Sequence, residues 1–160
     1  MADGKNFLEK QIEIMENDRQ LQRCARSGIP VRIECYAPVG NQYPQITIWL
    51  DEGRSETVFP AGHYRYSVCI WIKKEEQEKY KLVKMILGHV YRLVNRKADS
   101  VSEIDVTKNE GLRVARCVKD GGEILFSKQV GMYYSETIFD CVISEGESFA
   151  EEDKGNKEWV

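Results

Sequence analysis

Two adjacent stretches of the chain run to different apolar periods, and their order limits the folds open to it. In HYRYSVCIWIKK, residues 63–74, one side carries Tyr64, Tyr66, Val68, Ile70 and Ile72. The other carries His63, Arg65, Ser67, Cys69, Trp71 and Lys73. A period of two held this long marks a β-strand with two unlike faces. From about Lys74 to Lys97 the period lengthens to that of a helix. Leu82, Val83, Ile86, Leu87, Val90, Leu93 and Val94 then form one stripe, as in a helix that lays one side on a core. A strand feeding straight into an amphipathic helix, in a chain of 160 residues, calls for a sheet with a helix against it.

The flanking sequence extends this plan. Residues 6–27, NFLEKQIEIMENDRQLQRCARS, suggest a helix N-capped at Asn6, with Glu9 completing a capping box and Gly28 and Pro30 ending it. Its apolar stripe is thin and interrupted at Asp18 and Arg19, so it either packs at an edge or serves as an arm onto another molecule. Strand patterns follow at 31–37 and 45–50, then a polar loop at 51–62. After the central helix, further strands are expected at 101–106, 112–118, 123–130 and 132–143. Asp120-Gly121-Gly122 reads as a hairpin turn, because glycine takes positive φ without steric cost. The expected fold is α+β, a mostly antiparallel sheet with two helices, one N-terminal and one central and basic. It divides into an N-terminal helix or arm (1–29), an α+β domain (30–143) and an acidic tail (144–160). The tail, with six acids and two bases, is expected to be disordered and solvated. It accounts for the formal charge of -3, since the rest of the chain is close to neutral.

The central helix is the unusual surface. Lys81, Lys84, Arg92 and Arg96 fall opposite the apolar stripe, with Gly88 among them, and no acid lies between Lys79 and Lys97. A solvated helix ordinarily mixes signs, since like charges three or four residues apart destabilise it by a few tenths of a kcal/mol. Glycine in mid-helix adds up to about 1 kcal/mol relative to alanine. Glu75, Glu76 and Glu78 precede the stripe and are available to neutralise some of it. A face left cationic would suit phosphate, with the glycine permitting close approach. The four basic residues are therefore the candidate polyanion site. A second candidate is an aromatic and basic sheet face, Arg65, Trp71 and Lys73, since sheets that stack RNA bases interleave aromatic rings with cations.

No catalytic constellation can be assembled. The phosphate-loop, dinucleotide-binding, nucleophile-elbow and zinc-protease signatures are all missing. His63 and His89 are the two histidines, and the five cysteines (24, 35, 69, 117 and 141) are odd in number and widely spaced. That argues against zinc and against a disulfide framework, and for free thiols in a reducing compartment. Asp140 and Glu136, four apart on one strand, are expected on an exposed sheet face rather than as an acid–base pair. No cofactor, metal or small-molecule substrate is expected. No stretch approaches the length of a membrane span, and the polar opening MADGKNFLEK has no apolar leader, so the cytoplasm or nucleus is the expected location.

YRYSVCIWIKKEEQEKYKLVKMILGHVYRL, followed by paired strands and then by VGMYYSETIFDCVISEGES, resembles the core of rhabdovirus matrix proteins, those of plant-infecting members in particular. The likeness covers the middle of the chain. It implies a non-enzymatic virion structural protein that self-associates, condenses the viral nucleocapsid and bridges it to the inner surface of the envelope. The implied partners are further copies of the chain, nucleoprotein or RNA, and an anionic membrane surface, with the virion as an added location. The other reading of the same basic surface is a small RNA-binding protein, such as a suppressor of host RNA silencing.

Overall fold

The computed structural model describes residues 2–34, 37–50, 63–94 and 113–143. The expected strand at 101–106, the loop at 51–62, the acidic tail, Cys35 and Arg96 lie outside the described residues. The elements in chain order are α1 (Ala2–Asn17), α2 (Arg19–Gln22), β1 (Val31–Ile33), β2 (Gln45–Leu50), β3 (His63–Ile72), α3 (Lys79–Val94), β4 (Arg113–Lys119), β5 (Leu125–Ser127) and β6 (Met132–Ile143). The fold is α+β, as the apolar periods require.

Among the described residues, six strands form one mixed sheet in the order β1-β2-β3-β6-β4, with β5 also paired to β6. β1 runs parallel to β2, and every other pairing is antiparallel. β3 and β6 are the spine, in register from His63 opposite Val142 to Ile72 opposite Tyr133. The expected hairpin at Asp120-Gly121-Gly122 does not form. β4 and β5 both pair with β6, end to end along its outer edge, rather than with each other. Gly121 is needed here for a different reason. A Cβ at this buried position would overlap the Thr137 hydroxyl on β6, whereas positive φ occurs at Gly28, Gly40 and Gly131.

The expected N-terminal helix breaks in two at Asp18. α1 starts at Ala2, upstream of the expected cap. Asp18 takes an extended conformation, and its carboxylate accepts a hydrogen bond from the Leu21 amide at 2.9 Å, which starts α2. Neither piece is an arm. Phe7, Leu8, Ile14, Met15 and Leu21 are buried in the same core as the sheet, and the Phe7 ring stacks on Tyr64 with centroids 4.3 Å apart. Residues 2–29 and the α+β domain thus share one core.

That core lies between the helices and one face of the sheet. Ile46 and Ile48 on β2, Tyr66, Val68, Ile70 and Ile72 on β3, and Phe139 and Cys141 on β6 meet Val83, Ile86, Leu87, Val90, Leu93 and Val94 of α3. All but one of the apolar positions picked out by the helical period are buried, and the exception, Leu82, is half-buried. The opposite sheet face was expected to be open, and it is not. Thr47, Ser67, Cys69, Trp71, Ile138 and Asp140 are all buried. The second side is closed with small polar residues such as Thr47 and Ser67 set among larger ones, Trp71, Ile138 and Asp140, so the alternation in the sequence survives burial on both sides.

Candidate functional site

α3 presents its outer face as the sequence implies, but the cationic ridge is shorter than expected. Lys81 and Lys84 are exposed, and no carboxylate among the described residues lies within 4.0 Å of either. Glu75, Glu76 and Glu78 therefore form no ion pair with them, although Glu76 and Glu78 line the same depression as Lys81. Arg92 differs. Its guanidinium reaches across to Asp18, Nη2 to Oδ2 2.6 Å, while lying 3.1 Å from Nδ1 of His89. The carboxylate that caps α2 also fastens α2 to α3. Partial burial works to raise the Asp18 pKa, but the hydrogen bonds from Arg92 and the Leu21 amide and the charges of Arg92 and His89 prevail and hold it below 3.8. Arg92 is thus a structural cation rather than a free one, and Arg96 lies outside the described residues.

The ridge has two unlike flanks. On one side a depression of about 470 Å³ is lined by Arg26, Tyr43, Glu76, Glu78, Lys81 and Met85, a mixture of charges. On the other a cleft of about 530 Å³ separates α3 from residues 120–124. Its walls are mostly apolar: Tyr80, Val83, Leu87 and Tyr91 from the helix, and Ile124 opposite. Lys84 and Gly88 stand along its helical side. A Cβ built on Gly88 meets nothing within 4 Å, so this glycine relieves no crowding inside the chain. The far wall is held by the Tyr91 hydroxyl, which donates to Asp120 Oδ1 at 2.5 Å, and by Ser135 Oγ, which donates to the Gly121 carbonyl. Burial and the hydrogen bond to Asp120 push the Tyr91 pKa up to about 12, so the phenol stays a donor.

The second candidate, Arg65, Trp71 and Lys73, is not an open stacking platform. Arg65 and Trp71 do share a face, as alternation requires. However, Arg65 forms a two-point ion pair with Asp140 at 2.7 and 3.0 Å, directly across the β3–β6 register. Trp71 is 4% exposed, donates its indole N–H to Thr47 Oγ1 at 2.9 Å and packs beside Tyr134. Lys73 is exposed but lies one residue past the end of β3. The carboxylates expected on an exposed face are also covered. Asp140 is 5% exposed, and Glu136 lies 3.6 Å from Lys119. A buried carboxylate is stable when matched in this way.

Among the described residues, the aromatic rings that do face outward are Tyr80 and Phe126. Neither was singled out from sequence. The available signal was the position of Tyr80 at the edge of the apolar stripe, beside Leu87 on one side and Lys84 on the other, where a ring is left partly uncovered.

The thiols are placed for packing. Cys69 and Cys141 are buried, Cys24 is half-buried and Cys117 is exposed. Burial raises the pKa of Cys24, Cys69 and Cys117, and the charges of Asp18, Glu136 and Asp120 respectively add to the effect. Among the described residues no group of three or more His, Cys, Asp or Glu side chains is arranged to hold a metal. No helix among them is long and apolar enough to cross a membrane. In comparisons with known proteins, no family model matches the chain and no curated protein shows significant similarity to it. The fold and this helix face are therefore what define the molecule: an α+β domain with a short cationic ridge beside an apolar cleft.

Proposed function

We propose that this is a non-enzymatic binding and assembly protein, matrix-like in its role, that meets a phosphate-bearing partner through the outer face of α3. The observation that carries the reading is the state of Lys81 and Lys84. They are exposed, one turn apart on a rigid helix, and have no carboxylate partner among the described residues. The helix is anchored along its whole reverse side, so the two ammonium groups are displayed from a fixed base. In the matrix-like role, copies of the chain assemble with one another, and this face holds a nucleocapsid or the anionic inner surface of an envelope. The raised thiol pKa values support the non-enzymatic part, because thiolate, not thiol, is the nucleophile.

The test is charge reversal. Lys81→Glu and Lys84→Glu together should abolish retention on heparin and on anionic vesicles at physiological salt, and flatten the dependence of binding on salt. Arg92→Gln should loosen the α2–α3 contact instead, with a smaller effect on binding. Binding that survives the double reversal unchanged sinks the proposal. Light scattering across a concentration series tests assembly, and a strict monomer at high concentration removes that part of the reading.

A further inference from the structure

The ridge borders rings as well as lysines. Tyr80 is 67% exposed and Phe126 is 40% exposed. Lysine nitrogens stand over the neighbouring ring faces: Lys79 Nζ is 4.6 Å from the centroid of Tyr133 and 5.7 Å from that of Tyr80, and Lys74 Nζ is 5.7 Å from that of Phe126. Phe126 and Tyr133 meet edge to face at 5.0 Å across the β5–β6 pair, and Lys79 over Tyr133 brings the start of α3 to them. Tyr80 also forms one end of the 530 Å³ cleft. That volume lies within the range of about 300–1,000 Å³ typical of small-ligand pockets, enough for a nucleobase and part of its sugar. Among the described residues, the one acid lining the cleft is Asp120, which already accepts hydrogen bonds from the Tyr91 hydroxyl and, at 3.1 Å, from the Gly122 amide.

We propose that this surface binds single-stranded nucleic acid, with a base seated in the cleft beside Gly88, a neighbouring base stacked on Tyr80, and the backbone phosphates held by Lys74, Lys79 and Lys84. The proposal rests on the polyanion reading of the α3 face and narrows it to one ligand class. A site for phosphate alone needs neither exposed rings nor an apolar recess. Unpaired bases use both, since each has a π face to stack and an edge to bury, while their phosphates meet the cations. A duplex keeps its bases stacked inside and offers this surface only its backbone. The absent side chain at residue 88 leaves the helix wall of the cleft recessed beside Lys84, where a sugar-phosphate must pass close to the backbone.

The experiment uses the full chain and fluorescence anisotropy with three probes of similar charge: a twelve-nucleotide oligouridylate, an abasic oligomer of the same length, and a short RNA duplex. Vesicles containing phosphatidylserine form a fourth arm. Oligouridylate is expected to bind at least about tenfold more tightly than the abasic oligomer. Tyr80→Ala and Gly88→Leu are each expected to reduce oligouridylate affinity about fivefold or more, in line with the loss of one stacked base, and Tyr80→Ala to leave the abasic probe unaffected. Both substitutions lie at exposed helix positions, and circular dichroism verifies the fold. Equal affinity for all three nucleic-acid probes, insensitive to both substitutions, overturns this proposal and leaves the polyanion reading standing. Binding to none of the four probes overturns both. A preference for vesicles that is lost with Tyr80→Ala assigns the rings to a membrane surface and overturns the nucleic-acid site.

Discussion

Replacing Gly88 with alanine should make the protein more stable and a poorer binder, and the two effects come from the same geometry. Gly88 lies in the interior of α3, is exposed, and offers an added Cβ open space to 4 Å. Alanine is favoured over glycine in a helix interior by about 0.8–1.0 kcal/mol, mainly because the unfolded glycine has more conformational freedom to lose. No steric charge offsets that gain, so nearly all of it should appear. For a chain of this size, about 1 kcal/mol corresponds to a rise in Tm of roughly 2–4 °C. Urea unfolding followed by circular dichroism, with a thermal scan alongside, reads both quantities. An unchanged or lower midpoint would refute the reasoning, since it would mean that the helix at 88 is crowded or bent in solution. If the midpoint rises while the affinity for oligouridylate falls, the chain carries a less stable residue at the point where its ligand approaches, a trade of stability for function.

Other outcomes follow from the same contacts. Gly121→Ala drives a methyl group into Thr137 and should destabilise the fold by about 1–3 kcal/mol in urea. Asp18→Ala removes the α2 cap together with the Arg92 contact and should lose about 0.5–2 kcal/mol. Because the folded state holds the Asp18 carboxyl below 3.8, its contribution is fully present above that pH and is lost as pH falls through the lower folded value. Acid titrations of Asp18→Asn should lack that part of the slope, and freeing Arg92 should tighten heparin binding relative to the parent. Under iodoacetamide at mildly alkaline pH, Cys117 should be alkylated in the native state, though slowly, while Cys69 and Cys141 should require denaturant, as mass spectrometry would show.

Local pattern carried much of the fold. The period of two in β3 and the period of 3.6 in α3 correctly assigned both core-facing sides, because each element buries one continuous set of side chains. Pairing was less legible. Nothing in the residues around Asp120 distinguishes a hairpin from two strands laid along a common neighbour, since that choice depends on the length of β6 and on a contact with Thr137 made across the sheet. Arg92 shows the same limit at the site. On the helix it looks equivalent to Lys81 and Lys84, and only the fold brings Asp18, 74 residues away in sequence, into contact with it. Arg65 and Trp71 shared a face as the alternation demanded, but alternation does not say whether a second face is covered.

The way the 120–124 segment is fastened has a consequence for binding. It belongs to no ladder, yet Tyr91 grips it from the helix and Ser135 from the strand beneath. Both jaws of the crevice are thus locked before any guest arrives, and capture need not first freeze a wandering loop. The entropy such a loop would forfeit on ordering is already settled during folding, which favours a snug, quickly formed complex over a slow, adaptive one.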